Sequence, residues 1–305
     1  MRCLVTGGAG FIGSHLVARL LARGDEVRVL DNLRRGTREA LAARSGAGAL
    51  EFIKGDVRGA STLRAAADGC ERIFHLAAQS NVIGALDDPD YSFTTNVGGT
   101  FNVLRCAVDL GVGRVVFTSS REVYGEALYV PVDEDHPLRA KNPYGASKLA
   151  GEAYCRTFAH CYGLDVAIVR LANVYGPGDR DRVIPLWLDR AAAGGALEVF
   201  GGDQVLDFVW IGTVVDALML AGEQGLASPT NIGSGTGTPI LELAQRVLDV
   251  TRSKAAVVRT APRNAEVSRF VADVSRMRAL GIAPDADPLA HLAELAALPA
   301  TVTRA

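Results

Sequence analysis

The sequence predicts an α/β fold: a doubly wound, mostly parallel sheet with helices on both faces, followed by a smaller C-terminal lobe. Three observations predict it. Between residues 3 and 171, short apolar runs alternate with stretches of helical length, the β-α-β order that yields parallel strands. The runs are apolar nearly throughout, as strands buried on both faces must be. After residue 172 the rhythm breaks, which marks a second lobe.

The elements follow in order. The first strand is CLVTG (3–7), with a helix at 11–23 behind a glycine-rich turn. EVRVLD (26–31), LEFIKGD (50–56), RIFHLA (72–77), RVVFTSS (114–120) and DVAIVRL (165–171) are the next strands. Helices are expected around 60–68, 91–110 and 144–162. Parallel neighbours need crossovers of about a dozen residues or more, which these intervals supply. NVYGPGDRDR (173–182) is rich in turn formers and charge. A helix at 184–193 and a short strand in LEVFGG (197–202) come next, and 207–222 and 230–235 are expected to return toward the sheet. Helix 239–251, strand 256–260 and two weaker helices end the chain. The expected division is a nucleotide-binding domain at 1–173, with returns near 207–235, and a lobe at 174–305, mainly 174–206 and 236–305.

Composition narrows the function classes. With 305 residues, 49% hydrophobic and 22% charged, the chain reads as an ordinary globular protein with ample core. A net charge of −2 gives no reason to expect nucleic acid or an anionic membrane as partner. No apolar run approaches the roughly 20 residues of a membrane helix. The opening MRCLVTGGAG has no signal-peptide layout. The 5 cysteines (3, 70, 106, 155, 161) are scattered and show no metal-binding spacing, so no metal is expected. Reduced thiols and a cytoplasmic setting are the expectation.

TGGAGFIGSH (6–15) follows the first strand directly. Gly8, Gly10 and Gly13 form G-x-G-x-x-G, and Gly7, Gly10 and Gly13 form G-x-x-G-x-x-G. Such glycines allow a tight strand-to-helix turn, close approach of a pyrophosphate, and helix amides aimed at the phosphates. Asp31 closes the second strand 18 residues past Gly13, near the spacing of a carboxylate that binds both ribose hydroxyls. It would repel a 2′-phosphate, so NAD is expected rather than NADP, although Arg34 and Arg35 lie close by in sequence.

PYGASK (143–148) places Tyr144 and Lys148 at i and i+4, on one helix face. A lysine cation and an oxidised nicotinamide would both lower the tyrosine pKa. The phenolate could then take a proton from a sugar or alcohol hydroxyl while hydride leaves the same carbon. Ser120 belongs to the carboxyl end of its strand, where ligands bind in open α/β sheets.

Taken together, LVTGGAGFIGSH, DNL (31–33), GDV (55–57), HLAA (75–78), NVGGT (96–100), SSREVYG (119–125), NPYGASK (142–148), RLANVYGPG (170–178) and DFVWIGTVVDA (207–217) carry a resemblance. The chain resembles an extended short-chain dehydrogenase/reductase of the nucleotide-sugar epimerase/dehydratase family, most of all the UDP-glucose 4-epimerases. The resemblance implies a Rossmann-type domain binding NAD through Gly7, Gly10, Phe11, Ile12, Gly13, Asp31 and Asn32. It implies Asp56 and Val57 around the adenine, and Leu76, Ala77, Ala78 and Asn96 along the cofactor. Ser120, Tyr144 and Lys148 match the catalytic trio, with Tyr144 and Lys148 also touching the cofactor. Asn173 and Arg263 match residues that contact the diphosphate of a nucleotide sugar. A homodimer through helices 91–110 and 144–162 is implied as well.

Some residues depart from the family pattern. QVLDF (204–208) puts Leu206 where an arginine usually binds phosphate, and Arg180 or Arg182 is the candidate replacement. Phe270 falls where a bulky residue restricts the sugar pocket in some relatives. Within SSREVYG, the 4,6-dehydratases carry Asp-Glu as acid and base; here Arg121 replaces the acid and Glu122 remains. A guanidinium is no proton donor. Glu122 is a candidate C5 base or one half of a structural pair with Arg121. Bland readings attach to His15 and His75 (core or cap), Tyr124 (structural or cofactor-lining), and Trp187 and Trp210 (core or base pocket).

The function expected is therefore an NAD-dependent UDP-hexose 4-epimerase working through a transient 4-keto sugar. The alternatives are a nucleotide-sugar dehydratase using Glu122, and a non-catalytic NAD-binding sensor.

Overall fold

The computed structural model describes residues 1–42, 49–226 and 229–298; residues 299–305, assigned above to the second lobe, lie outside that range. The chain divides into two compact units. One comprises Met1–Gly125, Pro137–Leu171 and Val214–Thr230, and the other Glu126–His136, Ala172–Thr213 and residues from 231 onward. The segment Glu126–His136, counted above with the first domain, falls in the second unit.

A seven-stranded Rossmann-type sheet contains β1 (Arg2–Thr6), β2 (Glu26–Asp31), β3 (Leu50–Lys54), β4 (Arg72–His75), β5 (Arg114–Ser120), β6 (Val166–Leu171) and β10 (Thr230–Ile232). Its order is β10-β6-β5-β4-β1-β2-β3, and the pairings from β3 to β6 are parallel. The order reverses between β1 and β4, the kind of switch point at which such sheets bind ligands. Leu4, Leu30, Leu63, Ile73, Phe117 and Ile168 join one buried apolar cluster.

The stretch read as a single helix over 91–110 is broken in the structure. Pro89–Phe93 is α-helical, Thr94–Gly99 widens into a π-helical segment, and Thr100–Leu110 resumes the α-helix. Two local features account for the widening. Gly98 and Gly99 hold the chain weakly to α geometry, and Asn96 is drawn aside by hydrogen bonds described below. Such insertions often mark functional sites.

In the second unit, β7 (Asn173–Tyr175), β9 (Val205–Trp210) and β11 (Gly237–Pro239) form one small sheet, and β8 (Leu197–Phe200) pairs with β12 (Val257–Thr260). Residues 207–222 thus do not return to the large sheet as a strand. They finish β9 and enter the helix Ile211–Gln224. Tyr175, Ile184, Trp187, Val199, Phe208 and Leu243 join the second unit's apolar core, so Trp187 is a packing residue. Leu206 packs against the same cluster.

Candidate active site

The glycine turn links β1 to the helix Phe11–Ala22. Gly7 adopts φ +72°, and a Cβ there would lie 2.7 Å from the backbone nitrogen of Ala77. A Cβ on Gly13 would collide with the Gly7 carbonyl. Only glycine permits this turn. The helix has Gly10 as its N-cap and no side-chain cap, so its start presents the positive end of the helix dipole, a setting that favours an anion. Asp31, 8% exposed, accepts from the Ala9 amide (3.0 Å) and the Leu33 amide (2.8 Å). Burial pushes its carboxyl pKa upward against those bonds. Asn32 donates to Asp56 (2.9 Å) and to the Tyr91 hydroxyl (3.1 Å). Burial raises the Asp56 pKa, but bonds from Arg58 and Asn32 outweigh it and hold the group at about 2. Val57 is buried. These residues fit a dinucleotide: an amide cradle that a side chain would fill, then a carboxylate suited to a ribose and hostile to a 2′-phosphate.

Beyond β4, the Leu76 amide donates to the Thr6 carbonyl (3.1 Å) and the Ala77 amide to Thr6 Oγ1 (3.3 Å). Buried His75 lies behind them. Thr100 Oγ1 donates to the Asn96 carbonyl (2.6 Å), so it must accept from His75 Nε2 (3.0 Å). Nδ1 is then the acceptor for Thr6 Oγ1 (2.8 Å). Burial, helped by the Lys148 charge, lowers His75 to about 3, so the ring is neutral and its tautomer is set by its neighbours. Asn96 accepts from the Gln79 amide (2.7 Å) and donates to the Gln79 carbonyl (3.1 Å) and Ser147 Oγ (2.8 Å). It thereby ties the end of β4 to the helix Pro143–Tyr162.

That helix carries Tyr144 and Lys148 in its first turns. Lys148 is 4% exposed, donates to the Thr118 carbonyl (2.8 Å), and places Nζ 6.0 Å from the centre of the Tyr144 ring. Burial lowers its pKa to about 8. Ser120 ends β5, and its Oγ accepts from the Glu122 amide (3.2 Å). Glu122 is buried. One carboxylate oxygen pairs with Arg121 Nη2 (2.9 Å), and the other accepts from Asn142 Nδ2 (2.7 Å).

A buried network beneath the site was not anticipated from sequence. Glu152 accepts from Ser119 Oγ (2.6 Å) and from Arg170 Nε (2.9 Å) and Nη2 (2.7 Å). Arg170 also donates to the Tyr124 hydroxyl (2.9 Å), which makes Tyr124 a structural residue. The available signal was Arg170 itself, a charge inside the apolar strand VAIVRL, where it requires a partner.

In the second unit, Asn173 Nδ2 donates to the Asp207 carbonyl (3.0 Å). Arg182 reaches the Val174 carbonyl (3.3 Å) and Asp179 (3.4 Å). Arg263 lies 3.7 Å above the centre of the Phe200 ring and bonds Glu266 (3.1 Å). Phe270 is fully buried, its amide bonded to the Val205 carbonyl (2.9 Å). Trp210 stacks on His291 at 4.0 Å.

Comparison with known proteins gives these features a family. Residues 3–233 match the NAD dependent epimerase/dehydratase family. A putative UDP-glucose 4-epimerase of Methanocaldococcus jannaschii is 35% identical over 291 residues, covering 93% of each chain. A UDP-glucose 4-epimerase of Mycolicibacterium smegmatis is 41% identical over 251 residues, 80% of each. Among solved structures, the UDP-glucose 4-epimerase of Thermotoga maritima with UDP-glucose superimposes with TM-score 0.91 at 32% identity, covering 100% of this chain and 99% of that one. A dTDP-glucose 4,6-dehydratase of Streptomyces venezuelae with NAD bound also gives 0.91, at 37% identity and 97% and 96% coverage. With the glycine cradle, Asp31 and the Tyr144–Lys148 helix in place, the chain belongs to the NAD-dependent epimerase/dehydratase family.

Proposed function

We propose that the protein is an NAD-dependent UDP-hexose 4-epimerase acting in the cytoplasm as a homodimer. The observation that carries this reading is the buried Lys148 cation beside Tyr144, on the same unit as a cradle shaped for NAD. Gly7, Gly10, Phe11, Ile12, Gly13, Asp31, Asn32, Asp56, Val57, Leu76, Ala77 and Ala78 would hold the cofactor. Bound NAD would supply a hydride acceptor that later returns the hydride to the sugar. Tyr144 takes the proton from O4 and gives it back. Lys148 favours the phenolate by its charge, and Ser120 Oγ hydrogen-bonds the same oxygen. Asn96 holds the helix of Tyr144 through Ser147. In the substrate-binding lobe, Asn173, Arg182 and Arg263 bind the diphosphate, with Arg182 serving where Leu206 leaves none.

Homodimerisation is supported by an aromatic face on the helices Thr100–Leu110 and Pro143–Tyr162. Phe101 meets Tyr154 at 5.5 Å and Phe158 at 5.8 Å, while Tyr162 is 61% exposed. A second reading, a nucleotide-sugar dehydratase, is favoured by the retained Glu122 and by the likeness to the Streptomyces dehydratase. Incubation of NAD-loaded protein with UDP-glucose and UDP-galactose, read by NMR and mass spectrometry, separates the two. A C4 epimer of unchanged mass is expected; a product lighter by one water overturns the epimerase reading.

A further inference from the structure

Past Ser120 the backbone turns through the short helix Arg121–Val123, and Ser120 Oγ takes the Glu122 amide. The Glu122 side chain, 4% exposed, then reaches a different element. Its carboxylate is paired with Arg121 on one oxygen (2.9 Å) and accepts from Asn142 Nδ2 on the other (2.7 Å). The opposite atom of the Asn142 amide, Oδ1, accepts from the Gly145 amide (2.8 Å) and caps the helix Pro143–Tyr162. One amide therefore joins Glu122 to the first turn of the helix, where Tyr144 sits. The backbones meet at the same place: a Cβ on Gly145 would collide with the Glu122 carbonyl. Strand end and helix start are thus pinned by a charge-assisted bond and by direct backbone packing.

We propose that Arg121, Glu122 and Asn142 form a clamp that positions Tyr144 relative to Ser120, and that Glu122 acts through Asn142 and not as a base on the substrate. The proposal rests on the epimerase reading and adds positioning residues to it. Arg121 neutralises the buried carboxylate, which an apolar setting would otherwise disfavour. Where a dehydratase needs an acid beside its base, this chain has a cation that turns the base into a strut. The strut matters because catalysis by a positioned tyrosine is steep in distance; a shift of about 1 Å can cost about a hundredfold.

The test uses NAD-loaded protein and the variants Glu122→Gln, Glu122→Ala, Asn142→Thr and the Ala/Thr double. Threonine keeps a helix cap but is too short to reach Glu122. The substrate-free readout is the ultraviolet titration of the Tyr144 phenol, isolated by difference against Tyr144→Phe. Asn142→Thr changes no charge and should raise its midpoint by about half a pH unit or more as the Lys148 charge loses its alignment; Glu122→Ala also leaves the Arg121 cation unpaired, which pulls the midpoint down, so that variant and the double are judged by turnover. Glu122→Gln keeps an acceptor for Asn142 and should lose less turnover than Glu122→Ala. With UDP-hexose, kcat should fall by about tenfold in Glu122→Ala and in Asn142→Thr with KM unchanged, without additivity. The clamp is overturned if Asn142→Thr titrates and turns over like wild type, or if the two effects add. Should Glu122→Ala fail to fold, Asn142→Thr against Glu122→Gln carries the same comparison. If no nucleotide sugar is turned over, the epimerase reading fails while the titration still decides the clamp.

Discussion

At the scale of single residues, the decisive group is Lys148. Burial, only partly offset by the negative field of Glu152, brings its pKa to about 8, so it is cationic at neutral pH and loses its charge within reach of ordinary buffers. In the proposed mechanism phenolate formation on Tyr144 depends on that charge, so turnover should decline above about pH 8 in a pH–rate profile. Lys148→Met should remove that limb and lower the rate. Tyr144→Phe deletes one hydroxyl and leaves the cradle alone. It should reduce kcat by about 10²–10⁴-fold while calorimetry finds NAD affinity unchanged; a variant within a few-fold of wild type would exclude Tyr144 from the proton transfer. Both residues were legible in the sequence because their spacing is local. Partnerships across the fold were not. Glu122 and Asn142 lie 20 residues apart, and no periodicity links them.

At the scale of elements, β5, β6 and the helix Pro143–Tyr162 are held by Glu152 and Arg170. Burial would raise the Glu152 pKa, but Arg170 and the Ser119 hydroxyl outweigh it and hold the carboxyl below its ordinary value. Removing one member strands the other without solvent, at a cost of about 3–5 kcal/mol. Glu152→Ala should therefore lower the urea midpoint markedly, and Glu152→Leu with Arg170→Met together should recover part of the loss. His75 makes a different prediction. Its folded pKa, about 3, lies below the ordinary imidazole value of 6.5. Below pH 6.5 the unfolded chain takes up a proton that the folded chain refuses, so the His75 contribution to stability is full above that pH and is lost as pH falls toward 3. Between pH 6.5 and 5, where ordinary carboxylates are silent, His75→Gln should flatten the slope of stability against pH. The parallel strands were readable from apolar runs between helical intervals. The π-helical break at Thr94–Gly99 was not, because Gly98 and Gly99 only permit it and the rest of its cause is the distant pairing of Asn96 with Gln79 and Ser147.

At the scale of the whole molecule, the proposed function assigns the two units separate roles. The first contains every residue assigned to NAD and to proton transfer. The second contains Asn173, Arg182 and Arg263, and Leu206 stands there in place of an expected arginine. In sequence that substitution looked like a missing phosphate ligand; in the structure Leu206 packs against the apolar core of its unit, so on the proposed reading the diphosphate is met by other cations. Arg263 is the suitable one. Its guanidinium lies over the Phe200 ring and is 42% exposed, supported by the ring and accessible to a planar or tetrahedral anion. Glu266 accepts one of them in the structure, and an anionic diphosphate would compete for it. Arg263→Ala should raise KM for a UDP-hexose by roughly tenfold to a hundredfold, the equivalent of losing a charge-assisted bond of about 1.5–3 kcal/mol. NAD affinity and the Tyr144 titration should not change, since both belong to the first unit. Arg263→Lys should recover only part of the loss, because an ammonium offers a point charge in place of the planar fork. An unchanged KM in Arg263→Ala would move the diphosphate to Arg182, and the same measurement on Arg182→Ala would then show the rise.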